Sequence, residues 1–131
     1  MSMKWEDKGL KTPLARAKGL GAARDGTTHW MHQRLTAIAN VFLVLWLVWS
    51  LLSMELGNYD EVRTWLAHPL NSILMILTVI STFYHAVLGS QVIVEDYIHN
   101  EGLKLVKLIS HRLIYFGLGV ACIFSVLTVA L

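Results

Sequence analysis

Three long runs of this chain contain no Asp, Glu, Lys or Arg: residues 35–54, 64–94 and 113–131. Each meets or closely approaches the ~20 residues that a helix needs to cross a hydrocarbon core of ~30 Å. Helices of a soluble bundle keep a polar face, but positions 41–52 (VFLVLWLVWSLL) are apolar on every side. In lipid, backbone N–H and C=O groups must be satisfied within the segment, so the spans are expected to be α-helices. The pattern therefore predicts an all-α protein with three transmembrane helices, spanning approximately 33–54, 69–95 and 109–131. Three helices enclose little core of their own. Most of each surface must face lipid or another chain, which makes the chain part of a heteromeric helical bundle.

Charge gives the layout a direction. Lys4, Lys8, Lys11, Arg16, Lys18, Arg24 and Arg34 precede or open the first span. The connection between spans one and two carries only Arg63, beside Glu55, Asp60 and Glu61. The connection between spans two and three carries Lys104 and Lys107, with Arg112 opening span three. Positive residues mark the cytoplasmic side. The N-terminus and the 95–112 connection are thus expected in the cytoplasm, with the C-terminus across the membrane. Residues 1–28 read as an extended cytoplasmic arm punctuated by Gly9, Pro13, Gly19, Gly21 and Gly26, and residues 29–131 as the membrane domain. Thr27 or Thr28 is a candidate N-cap for the first helix. The apolar run after the arm is span-length, too long for a signal peptide, and Glu6 and Asp7 fit a mitochondrial transit peptide poorly. A bacterial inner membrane fits better than a mitochondrial one. Trp30 and Trp65 suit the two interfacial belts, and Pro69 suits the first turn of span two, with His68 as an interface residue.

Composition narrows the chemistry. At 131 residues, 55% hydrophobic content and a mean hydropathy of +0.53, one domain is expected. The net charge of +2, without a basic stripe, gives no nucleic-acid surface. The single cysteine, Cys122, lies in the third apolar run and reads as a small buried hydrophobe. Without Cys-x-x-Cys-His or paired cysteines, covalent haem attachment and four-cysteine metal sites are excluded.

One residue stands out against this background. His85 lies near the middle of a charge-free run that ends at Glu95, Asp96 and Tyr97. A ring nitrogen at bilayer depth is costly and needs a partner. On a helix, Thr78, Ser81, His85, Gly89 and Asp96 fall on one stripe, within about 40° of His85. Val79, Phe83, Val87 and Ile93 take the other faces. Small residues allow close approach of a neighbour, and here they would leave room for something flat and bulky against the imidazole. Spacing alone leaves three roles open for His85: a hydrogen bond to another helix, a proton relay, or an axial ligand of a haem iron. The other spans offer no buried carboxylate for a relay. Asp96 and Tyr97 lie about 17–18 Å further along the helix. They suit either a solvated helix end or a site where a phenol donates to a ligand carbonyl and a carboxylate manages protons.

Two blocks carry a family resemblance: HAVLGSQVIVEDYIH at 85–99 and GTTHWMHQRLTAI at 26–38. With the three-span layout, they resemble the hydrophobic membrane-anchor subunit of succinate dehydrogenase (respiratory complex II), of the type with two small anchor chains. The resemblance implies a chain that catalyses nothing alone. It would hold the flavoprotein and iron–sulfur subunits on the lipid membrane, and with a second small anchor subunit form the haem b and ubiquinone sites. Electrons from succinate oxidation in the tricarboxylic acid cycle would thereby enter the respiratory chain. By the same resemblance, His85 matches the haem iron axial ligand, with the opposing ligand on the partner anchor. Arg34 matches a basic residue near the haem propionates, with His29 as a further candidate. Tyr97 matches the tyrosine that hydrogen-bonds a quinone carbonyl, and Asp96 its neighbour. A fumarate reductase anchor is a close alternative, and a small transporter or channel accessory protein is an alternative of another class.

Overall fold

The computed structural model describes residues 24–54 and 58–131. Four helices follow in order: α1 (Arg24–Leu52), α2 (Tyr59–Ala67), α3 (Pro69–Tyr97) and α4 (Glu101–Ala130). The arm before residue 24 lies outside the described residues, as do residues 55–57. Among the described residues, α1, α3 and α4 are long and apolar enough to cross a membrane. At 1.5 Å per residue each is about 43–45 Å long, more than the ~30 Å hydrocarbon core, so helix continues at the ends of each charge-free run. Thr27 and Thr28 lie inside α1, and neither is its N-cap.

The short connections make successive long helices antiparallel. Asn100 turns the chain from α3 into α4, its side chain accepting from Leu103 N at 3.0 Å. Pro69 occupies the first turn of α3, as its missing donor allows. The charge-free run 64–94 is consequently not one helix: its first residues belong to α2. That helix was not anticipated, although its signal is present in the sequence. Asn58 caps it, accepting from Asp60 N at 3.1 Å and Glu61 N at 3.4 Å, and both acids sit in the first turn where the helix dipole favours them. Trp65 stacks on Trp46 of α1, with ring centroids 5.6 Å apart and an interplanar angle of 23°.

Helix α3 is central. It packs against α1 on one side and α4 on the other, while α1 and α4 stay apart. The sidedness follows the pattern on α3. Its apolar flank meets α4, where the Phe83 ring lies over Gly119 and edge-on to Tyr115, with ring centroids 6.2 Å apart. Its small and polar stripe meets α1. Buried positions are few among the described residues: Thr78, Val79 and Leu88 of α3, Val126 of α4 and Leu66 of α2. Large apolar side chains such as Phe42, Trp49 and Phe116 stay 70–76% exposed. Water would not tolerate such a surface over three helices, whereas lipid and partner helices would.

Candidate functional site

His85 is half-buried in the seam between α3 and α1. Two residues of α1, three positions apart and so on one helix face, meet its two ring nitrogens. Nδ1 lies 2.9 Å from Thr36 Oγ1, and Nε2 lies 3.4 Å from Gln33 Nε2. An amide nitrogen only donates. The ring thus meets a hydroxyl on one side and an amide on the other. The contact at Nε2 is long, and Gln33 Oε1 is buried without a hydrogen-bond partner, so the amide is only loosely held there.

The small-residue stripe has a use other than the one expected from the sequence. The space beside Gly89 is filled by α1: a Cβ at Gly89 would stand 3.4 Å from Gln33 Nε2. Thr78 is buried and its hydroxyl returns to Leu74 O at 2.7 Å. Ser81 Oγ is buried without a partner. Gln33 and Thr36 are the residues that sequence reasoning missed. Their signal was present, since they are polar positions with helical spacing at the opening of an apolar run.

The remaining candidates cluster toward the same end of the molecule without forming one pocket within this chain. Arg34 follows Gln33 by one position, about 100° round the helix. It is exposed, with its guanidinium 5.1 Å from the centroid of the Trp30 ring. His29 borders a cavity of about 440 Å³ between the start of α1 and the α3–α4 pair, together with His32, Tyr84, Gln91 and Arg112. Its Nε2 is buried and has no hydrogen-bond partner. His32 Nδ1 and the Tyr84 hydroxyl are 2.8 Å apart across this cavity. Arg112 donates to Gln91 Oε1 at 2.8 Å, and Gln91 Nε2 donates to Glu95 Oε1 at 2.7 Å, tying α4 to the last turns of α3. Asp96 and Tyr97 close α3, both exposed, Tyr97 by 78%.

The donor set suits some cofactors and not others. Among the described residues, no group of three or more His, Cys, Asp or Glu side chains could by itself hold a metal ion. A haem differs, because the porphyrin supplies four nitrogens and the protein need supply only axial ligands. A histidine whose Nδ1 faces a threonine hydroxyl at 2.9 Å and whose Nε2 is loosely covered has the chemistry of such a ligand.

The family model for the succinate dehydrogenase/fumarate reductase transmembrane subunit matches residues 8–129. The succinate dehydrogenase hydrophobic membrane anchor subunit of Rickettsia bellii is 34% identical over 120 residues, covering 92% of this chain and 88% of its own length. That of Rickettsia conorii is 33% identical over 96 residues, covering 72% and 76%. The succinate dehydrogenase membrane anchor subunit of Reclinomonas americana is 30% identical over 95 residues, covering 70% and 78%. No solved structure gives a significant match. By sequence match, helix content and membrane-spanning layout alike, the chain belongs to the family of succinate dehydrogenase/fumarate reductase transmembrane subunits.

Proposed function

We propose that this chain anchors a succinate dehydrogenase in a bacterial inner membrane and contributes half of a haem b site and part of a ubiquinone site. The anchor role follows from the family. It brings the flavoprotein and iron–sulfur subunits as partners, and it displaces the channel-accessory alternative. The finer assignment rests on a second small anchor chain. His85 is the only histidine in the middle of a span, so a second histidine ligand must come from elsewhere.

The observation that carries the haem assignment is the asymmetric environment of His85: Nδ1 held at 2.9 Å by Thr36, Nε2 covered at 3.4 Å by a loosely held amide. In this assignment His85 would hold the iron through Nε2, the nitrogen covered only by the Gln33 amide, whose oxygen has no hydrogen-bond partner. Arg34, exposed one position beyond Gln33, is free to leave the Trp30 ring and pair with a propionate. His29, with an unpartnered Nε2, is the second candidate for that pairing. When bound, haem b supplies a one-electron relay at bilayer depth. At the end of α3, the Tyr97 phenol donates a hydrogen bond to a quinone carbonyl, and Asp96 handles protons beside it. Quinone reduction consumes two electrons and two protons, and an exposed helix end gives those protons direct access from water.

The visible spectrum of the purified, dithionite-reduced complex tests the assignment. A b-type band is expected in the wild type, and its loss or conversion is expected in His85→Ala. An unchanged band in the assembled His85→Ala complex, or no band in an assembled wild-type complex, would remove the ligand role from His85.

A further inference from the structure

We propose that Thr36 is the positioning residue of His85: its hydroxyl oxygen takes the Nδ1 proton, fixing the tautomer and the ring plane and strengthening Nε2 as an iron ligand. This rests on the assignment of His85 as a haem ligand. The case begins with the single proton of the hydroxyl. Thr36 Oγ1 lies 2.8 Å from His32 O and 3.2 Å from Gln33 O, one turn back along α1. Its proton goes to those carbonyls, so toward His85 Nδ1, at 2.9 Å, the oxygen accepts. The Thr36 contact therefore places the proton on Nδ1.

The acceptor is also rigid. A β-branched side chain in a helix has few χ1 choices, and the backbone bond to His32 holds the one it takes. A ring held at Nδ1 by a fixed oxygen cannot turn freely about χ2, so Nε2 keeps its direction. The two nitrogens are therefore treated differently: Nδ1 is clamped, while Nε2 faces an amide whose oxygen is unpartnered. Hydrogen-bonding the distal N–H of a ligating imidazole raises its basicity. A more basic imidazole favours ferric over ferrous iron. Removing the acceptor should shift the couple toward ferrous, and the midpoint potential should rise.

Two substitutions in the full purified complex separate hydroxyl from shape. Thr36→Val keeps the branched outline and loses the acceptor, while Thr36→Ser keeps the acceptor and loses a methyl. Potentiometric titration of the b-type band should show the ferric/ferrous equilibrium shifted about tenfold toward ferrous in Thr36→Val, a rise of about 59 mV for one electron. The low-spin electron paramagnetic resonance signal should shift with it, and Thr36→Ser should match the wild type in both. Loss of haem in Thr36→Val with retention in Thr36→Ser supports the proposal equally. An unchanged potential and line shape in Thr36→Val, or equal changes or equal haem loss in both variants, would overturn it. If His85→Ala retains the band, or the wild type has none, the ligand assignment fails and the proposal with it. A wild-type band that depends on His85 but not on Thr36 overturns the Thr36 role alone.

Discussion

A histidine in a charge-free run announces that it has a partner but does not say which. The structure answers with two side chains of α1, one on each ring nitrogen of His85. Neither was identifiable from the sequence of α3, because pairing residues 49 and 52 positions apart depends on how two antiparallel helices register. Tyr97 poses the opposite case. Its position twelve residues after His85 is legible by counting, and its 78% exposure leaves its partner to come from outside the chain. A phenol-to-carbonyl hydrogen bond contributes about 0.5–1.5 kcal/mol, so at its upper end its loss costs about tenfold in rate. Tyr97→Phe should lower quinone reductase activity by up to about that factor. Succinate oxidation by an artificial dye, which bypasses the quinone, should stay at the wild-type level. Parallel loss of both activities in steady-state assays would place the Tyr97 effect upstream of the quinone.

At the level of elements, hydrophobic patterning was enough for the three long helices, because a run without charge leaves an α-helix as the structure that satisfies its backbone in lipid. It was not enough for α2. Nine residues with an Asn cap and two acids read as a polar loop until the cap is considered. Patterning did foresee that α3 has two kinds of face. It could not tell which neighbour each face meets, and the small-residue stripe proved to receive α1, with Gln33 against Gly89. The α3–α4 seam is closed by the other kind of contact, a bulky ring over a glycine. A Cβ at Gly119 would sit 3.7 Å from the Phe83 ring, an ordinary van der Waals distance. Gly119→Ala should therefore be accommodated, and it relieves a helix penalty of about 0.5–1 kcal/mol. Gly119→Leu must displace Phe83 or part the helices, at about 1–3 kcal/mol. Thermal denaturation of the purified complex should rank Ala at or above wild type and Leu below it. A Leu variant as stable as wild type would show that α4 is not held through this contact.

For the whole molecule, the antiparallel order brings the start of α1 and the Asn100 turn to one end, and α2 and Leu131 to the other. Among the described residues, Arg24, Arg34, Lys104, Lys107 and Arg112 are positions toward the first end, leaving only Arg63 at the second. Arg63 shares its helix with Asp60 and Glu61, so the second end has no positive excess. Lys and Arg near span ends are retained on the cytoplasmic side. The fold thus converts a charge count along the sequence into a single dipolar object with one basic end. Asp96 and Tyr97 lie at that basic end, while His85 lies about 17 Å deeper along α3. Orientation therefore decides from which compartment a quinone site there would draw protons. A reporter fused after Leu131 should register in the periplasm, with alkaline phosphatase active and a green fluorescent protein dark. The opposite pair of signals would put the basic end outside, and protons for Tyr97 and Asp96 would then come from the periplasm.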